Sequence, residues 1–280
     1  MLTSAALSSP CSTPAVLRHR RKLHVSGPRS TAVVPPAMAR KTLVTFDVDG
    51  TLIRSVGNNA NKFHKDAFAF AFKKVFNLDT NIDVIHHHGS TDQLVAADVL
   101  AFHGISKEAI WANMPATCTA MLEHAAGAED NAAAGLELLP GVERLLQTLA
   151  ARDDTVVALV TGNLEPIAWT KMRRLGIYQH FTAPGIGGFG SDHTLRGELV
   201  KIAADRCAKE LGVEVGPRFH VGDTPNDVIA AEFAGAVALG VTTGIFSKEE
   251  LEASAKEKEK CVVLDGLNDL DAVLKALQLA

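Results

Sequence analysis

The strongest constraint on this chain is a rhythm in its C-terminal half, where short apolar runs alternate with stretches of helical periodicity. Apolar runs at 155–160, 218–222, 236–241 and 261–264 are interleaved with helical patterns at 164–175, 197–211, 225–234, 247–258 and 267–278. Short strands spaced by helices of about ten to fifteen residues make βαβ units, so an α/β fold with a doubly wound parallel sheet is expected. Leu43 to Val48, an apolar run ending in acids and glycine, reads as a further buried strand of that sheet. The rhythm breaks once, between 57 and 136, where helices at 61–77, 91–103 and 106–126 follow one another without a strand. Phe63, Phe68, Phe72 and Phe76 recur there at helical spacings, as an aromatic stripe that fills a core does. Residues 127–136 are small and polar and read as a hinge, and a helix at 140–151 leads back to the sheet. The expected organisation is an α/β core from 41–56 and 137–280, with an all-helical cap, 57–136, inserted over the carboxyl ends of the strands. Open α/β sheets bind ligands at those ends.

Composition excludes several functions. With 47% hydrophobic and 21% charged residues, the 280-residue chain can bury a large core plus a smaller second unit. It has no apolar run long enough to span a membrane. Cys11, Cys118, Cys207 and Cys261 form no CxxC pair, which suits a reducing compartment rather than a disulfide framework or a zinc site. The net charge of −4 hides an asymmetry: residues 1–41 carry seven Lys/Arg and no acid. The remainder has 21 Lys/Arg against 32 Asp/Glu, a net of −11. So acidic a body repels nucleic-acid phosphates, and a small substrate held locally by a metal and a few cations is expected instead.

Segment 1–40 differs from the rest. It is rich in Ser, Thr, Ala, Pro and Arg, and its five prolines interrupt any regular element. That composition fits an organellar transit peptide. Its first seventeen residues are uncharged, which favours the chloroplast over the mitochondrion as destination; the alternative is a basic tail on a cytosolic protein.

Three short motifs fall at strand ends. In Asp47-Val48-Asp49-Gly50-Thr51, two carboxylates at i and i+2 on extended backbone project to one side. One can attack phosphorus while the other protonates the leaving alcohol and later deprotonates water. Gly50 permits the turn, and Thr51 can hydrogen-bond a nearby carboxylate. In Val160-Thr161-Gly162-Asn163, a hydroxyl and backbone N–H groups at a helix start can grip a phosphate oxygen, although Thr161 or Asn163 as a plain helix cap explains the same pattern. In Val221-Gly222-Asp223-Thr224-Pro225-Asn226-Asp227, Pro225 suits a first helical turn. Asp223 is placed to ligate Mg²⁺, a hard cation that takes carboxylates, phosphate and water, with Asp227 supporting it from one turn away. A transferring phosphate also needs a cation. Arg196 and Lys201 are the candidates, with Arg196 preferred for its place at a helix start.

Together these residues resemble the haloacid dehalogenase-like hydrolase superfamily. The motifs stand in the family's order, and the resemblance covers nearly all of 41–245. Within the family the chain looks closest to the phosphoglycolate-phosphatase-like branch. The resemblance implies that Asp47 becomes an aspartyl-phosphate and Asp49 is the general acid/base. It further implies that Thr161, with Gly162 and Asn163, holds phosphate, and that Asp223 completes a magnesium site with Asp47 and the Asp49 carbonyl. Haloacid dehalogenases proper lack an acid at the position of Asp49, so its presence points to phosphate chemistry. One departure is the absence of a Lys-Pro pair after the second motif, which passes that cationic role to Arg196.

The implied activity is a magnesium-dependent phosphatase acting on a small phosphorylated metabolite, with 2-phosphoglycolate as first candidate. The alternatives are a phosphomutase that returns the phosphate to a sugar, and a non-catalytic binding protein on the same fold. The run His86-His87-His88 reads as a solvated or cap-lining stretch, since adjacent histidines diverge and make no tidy metal cage. Gly89-Ser90-Thr91-Asp92 reads either as a cap loop over the active site or as a plain helix start. Gly185 to Gly190 follows a helix rather than a strand and reads as a flexible connection. Lys171 is expected on the surface.

Overall fold

The computed structural model describes residues 39–183 and 185–280. The expected leader, 1–40, and the localisation read from it fall almost wholly outside the described residues. Among the described residues no helix is long and apolar enough to cross a membrane.

The strands β1 (Arg40–Phe46), β2 (Ile53–Ser55) and β3 (Leu136–Leu138) bracket three helices, α1 (Lys62–Phe76), α2 (Asp92–Phe102) and α3 (Lys107–Gly127). After β3 the chain alternates: α4 (Val142–Ala150), β4 (Thr155–Thr161), α5 (Glu165–Arg174), β5 (Gly187–Phe189), α6 (Arg196–Leu211) and β6 (Glu214–Gly222). It ends in α7 (Pro225–Phe233), β7 (Val237–Val241), α8 (Lys248–Ser254), β8 (Cys261–Leu264) and α9 (Leu270–Ala276). Six strands form one parallel sheet in the order β5-β4-β1-β6-β7-β8, the doubly wound α/β arrangement expected from the rhythm.

Local sequence explains the layers. Every residue of β4, Thr-Val-Val-Ala-Leu-Val-Thr, is buried, as for a strand covered on both faces. On α4, Val142, Leu145, Leu146 and Leu149 are buried at the i, i+3, i+4, i+7 spacing that faces a helix onto a sheet. The central strands β1 and β6 lie side by side, with Phe46 opposite Val221, so the residues just past each strand emerge as neighbours. That adjacency places Asp47 and Asp223 together.

The helical stretch springs from a stem. Ile53 pairs with Leu138 and Ser55 with Leu136 in an antiparallel two-stranded ribbon, so the chain leaves and returns at one point. Phe63, Phe68 and Phe72 of α1 are buried in a second core with Leu100, Met114 and Met121 of α2 and α3, which Leu164 and Ile167 at the start of α5 join.

One expectation is corrected. The glycine-rich segment 185–190 contains an ordered edge strand, β5, in which Thr161 is opposite Phe189. Glycines offer little strand propensity, but Phe189 is fully buried, its ring 5.7 Å from that of Trp169, and this anchors the segment against the sheet.

Candidate active site

Asp47 follows the last residue of β1 and is 4% exposed. Its backbone N–H donates to the Val221 carbonyl (2.9 Å), and its Oδ1 accepts a hydrogen bond from Arg196 Nη1 at 2.8 Å. Burial, reinforced by the Asp227 and Asp49 charges, outweighs Arg196 and holds the Asp47 carboxyl above the usual carboxylate range.

Asp223 leaves the end of β6, where Thr51 Oγ1 donates to its Oδ1 at 3.1 Å. Backbone packs closely around it. Gly50, at φ +94°, would carry a Cβ 2.3 Å from Asp223 Oδ2, so no side chain fits the turn. Burial, then the neighbouring Asp227 and Asp47, push Asp223 up to about 8. Asp227, on the first turn of α7, has no such excess. Its Oδ1 meets Arg196 Nη1 at 2.7 Å and His220 Nε2 at 3.2 Å, while its Oδ2 accepts from the Thr224 N–H (3.1 Å) and hydroxyl (2.6 Å) in a capping box. Burial opposes ionisation there, but Arg196 and these donors prevail and hold it well below the usual range.

Asp47, Asp223 and Asp227 each bring an oxygen within 4.8 Å of the others. Hard carboxylate oxygens are the donors a divalent cation such as Mg²⁺ prefers. Three buried carboxylates face one guanidinium, Arg196, so the cluster carries an excess negative charge that a divalent cation offsets. Asp227 spends both oxygens on donors, whereas Asp47 Oδ2 and Asp223 Oδ2 accept no hydrogen bond among the described residues. The residues therefore fit a hard cation held through Asp47 and Asp223.

Asp49 faces the other side of the cavity. Lys171 Nζ donates to both of its oxygens, at 2.9 and 2.8 Å, and Asn163 Nδ2 donates to Oδ2 at 3.0 Å. Burial pushes the group up, but Lys171, His64 and the bonds from Lys171 and Asn163 prevail and hold it below the usual carboxylate range. Two acids two residues apart thus occupy opposite electrostatic settings.

A cavity of about 120 Å³ joins these groups. From the sheet side Asp47, Asp49, Thr161, Asn163, Arg196 and Asp223 line it; from the helical stretch come Asn61, His64, Phe68, His87 and His88. Thr161 is buried and its hydroxyl accepts from the Asn163 N–H at 3.3 Å. The Gly162 carbonyl is taken by the N–H of Asp92 (2.8 Å). His87 and His88 stack at 5.3 Å on the cavity lining, while His86 is exposed, in keeping with a lining stretch. The 89–92 loop is seated on the sheet side: Asn226 Nδ2 donates to the Gly89 carbonyl at 3.0 Å and Gln93 Nε2 to the Gly190 carbonyl at 2.7 Å. Thr91 sits at the start of α2 but makes no side-chain cap, its hydroxyl donating to the Thr194 carbonyl (3.3 Å) instead.

Two lysines exchange places relative to expectation. Lys201 is not brought to the cavity. Its side chain is 42% exposed, bonded to Glu198 (3.2 Å) and placed 4.0 Å over the Phe233 ring. Five residues along a helix turn a side chain well away from Arg196, which explains the divergence. Lys171, expected on the surface, is fully buried with its ammonium on Asp49. The signal was present: Lys171 stands four residues after Ile167 and three after Ala168, on the buried face of α5. His64 follows the same rule on α1, ahead of Ala67, Phe68 and Ala71.

Comparison with known proteins agrees with this geometry. The sequence model of haloacid dehalogenase-like hydrolases matches residues 41–235. A protein of Dickeya dadantii named "Probable phosphatase IndB" is 23% identical over 247 residues, covering 85% of this chain and 95% of that protein. A phosphoglycolate phosphatase of Neisseria meningitidis is 31% identical over 88 residues, covering 31% of this chain and 36% of that protein. Among solved structures, a haloacid dehalogenase-like family protein of Streptococcus pneumoniae aligns with TM-score 0.51 at 17% identity, over 83% of this chain and 98% of that one.

Proposed function

The chain belongs to the haloacid dehalogenase-like hydrolase family, and from that premise we propose that it is a magnesium-dependent phosphatase of a compact phosphomonoester. The observation that carries this reading is the convergence of Asp47, Asp49, Arg196 and Asp223 on one small cavity. Asp47 is the nucleophile: a bond forms between its carboxylate oxygen and phosphorus as the bond from phosphorus to the leaving oxygen breaks. Asp49 supplies the proton that the departing alkoxide takes up. It rests ionised beside Lys171, and the negative charge of an arriving phosphate favours its protonation. In the second half Asp49 takes a proton from water as that water attacks phosphorus, releasing inorganic phosphate and freeing Asp47. Arg196 orients Asp47 and offsets charge on the transferring group, and Thr161, whose hydroxyl accepts from Asn163 and keeps its own proton to donate, receives a phosphate oxygen. Asp47 and Asp223 would hold Mg²⁺, with the Asp49 carbonyl as the ligand the family resemblance adds; the ion screens the repulsion between carboxylate and phosphate. Asp227 holds Arg196 rather than the ion. The helical stretch 57–136 acts as a cap that excludes water and selects the leaving group.

The cavity supports a small leaving group, being well below the roughly 300 Å³ at which pockets for drug-sized ligands begin. The Neisseria relative's name makes 2-phosphoglycolate the first compound to try. The test is phosphate release from a panel of metabolite phosphates with magnesium and with chelator, beside Asp47→Asn. Turnover that needs magnesium and falls at least about a thousandfold in the variant, with circular dichroism unchanged, is expected. An unaffected variant sinks the reading and favours a binding protein. Discharge of the aspartyl-phosphate to a sugar hydroxyl instead of water turns it into a phosphomutase.

A further inference from the structure

Two buried polar side chains of the helical stretch, His64 and Asp92, have no role in that scheme, although they are only 4% and 3% exposed. Such groups are retained inside a protein only when hydrogen-bonded, and here the bonds run in one line toward Asp49. Asp92 Oδ2 accepts from the Leu164 N–H at 2.8 Å and lies 3.0 Å from His64 Nε2. His64 Nδ1 lies 3.4 Å from Lys171 Nζ, whose other partners are Asp49 (2.8 Å) and Asn163 Oδ1 (2.8 Å). The partners dictate the tautomer. A carboxylate only accepts and an ammonium only donates, so Nε2 carries the proton and Nδ1 offers its lone pair to Lys171. Stacking on Phe68, with ring centroids 5.1 Å apart, holds the imidazole in place.

We propose that His64, held by Asp92, is a positioning residue for phosphoryl transfer: it takes one N–H of Lys171 and thereby fixes the ammonium that holds Asp49 at the leaving group. The proposal rests on the acid/base role given to Asp49 above. An ammonium has three N–H bonds, and Asp49, Asn163 and His64 together engage them, which leaves Nζ one orientation. Without His64 the ammonium has a donor to spare and can swing, and Asp49, whose side chain is 34% exposed, loses its fixed post. The line is anchored on both units of structure. Asp92 is bonded to the backbone of Gly162 and Leu164, whereas His64 rides on α1, so the arrangement is complete only while the 89–92 loop is seated.

The experiment compares two compact substrates in the full-length protein with magnesium. Acetyl phosphate releases acetate, which needs no proton; an alkyl phosphate (2-phosphoglycolate, or glycerol 3-phosphate if that is turned over faster) releases an alkoxide, which does. The constant read is kcat/KM, which reports steps up to departure of the leaving group. His64→Gln keeps a donor for Asp92 but removes the acceptor from Lys171. It is expected to lower kcat/KM for the alkyl phosphate at least about tenfold more than for acetyl phosphate, a fraction of what general acid catalysis supplies. His64→Asn, whose amide oxygen falls near Nδ1, is expected to recover part of that difference. Equal losses on both substrates, as a merely structural histidine would give, overturn the proposal while leaving the phosphatase reading intact. Wild-type protein that releases phosphate from neither compound nor from any member of the metabolite panel overturns both. Should His64→Gln fail to fold by circular dichroism, Asp92→Asn cuts the same line one bond earlier and is read by the same ratio.

Discussion

Asp223 is a carboxylate whose state its surroundings control. Burial and two neighbouring acids push it up to about 8, so the metal-free fold binds a proton there that the unfolded chain gives up near the ordinary carboxylate range. The sign follows: without metal, this group's contribution to stability is full at low pH, falls as pH rises from the carboxylate range, and is gone above about 8. A ligand to Mg²⁺ must be ionised, so uptake of the ion below pH 8 should expel protons, that of Asp223 among them, and tighten as pH rises. Calorimetry in two buffers of different ionisation enthalpy at pH 6.5 measures that release, and Asp223→Asn should lower it by the share of Asp223. The two lysines give a second comparison. Lys171→Met should slow turnover by about a hundredfold, because the acid/base group loses its anchor, whereas Lys201→Met should leave kcat within about twofold. Equal effects in the steady-state assay would contradict the placement of both. Asp47, Asp49 and Asp223 were legible because spacing at strand ends decides where they point, and Arg196 because it opens a helix beside them. Lys171 and His64 were not, because a charge or an imidazole within a helix is ordinarily read as solvated unless its buried neighbours are weighed first.

At the scale of elements, the seat of the 89–92 loop depends on the bare backbone of Gly162. A Cβ there would lie 2.3 Å from the Ser90 carbonyl and 2.9 Å from Thr91 Cα, and neither neighbour is a flexible side chain. Gly162→Ala should therefore push the loop outward. The expected results are a loss of about 1–3 kcal/mol in urea unfolding, and a fall in kcat larger than that modest loss of stability alone would bring. An unchanged kcat would show that seating is not needed for chemistry. The strands and helices themselves were mostly legible from periodicity, with three physical exceptions, the first being β2 and β3, whose three residues each are too few to show a period. Glycines concealed β5, which is secured by the long-range burial of Phe189 rather than by local preference. The last two helices, α8 and α9, are shorter than their patterns suggested: α8 ends at Ser254, before the charged run 256–260, and α9 begins only after Asp269, whose side chain accepts the Ala272 N–H at 3.0 Å.

For the molecule as a whole, the doubly wound sheet was readable because its rhythm repeats several times, and the break in that rhythm marked the helical insertion at the strand ends, but not the closeness with which it is seated. That closeness depends on single hydrogen bonds such as Asn226 to Gly89, which no periodicity reports. It also sets a size limit. With the loop seated, the cavity that the carboxylates line measures about 120 Å³, so kcat/KM should decline as the leaving group grows from glycolate through glycerol to a nucleoside. A competition assay across that series measures the decline, and a nucleotide turned over as fast as the smallest ester would contradict it. Asn226 and Asp227 leave the same turn of α7 in different directions, one grasping the Gly89 carbonyl and the other Arg196. A bulky phosphate that keeps Gly89 away therefore breaks a bond made one residue from the carboxylate that holds Arg196, so admission and transfer are served by neighbouring positions of one helical turn.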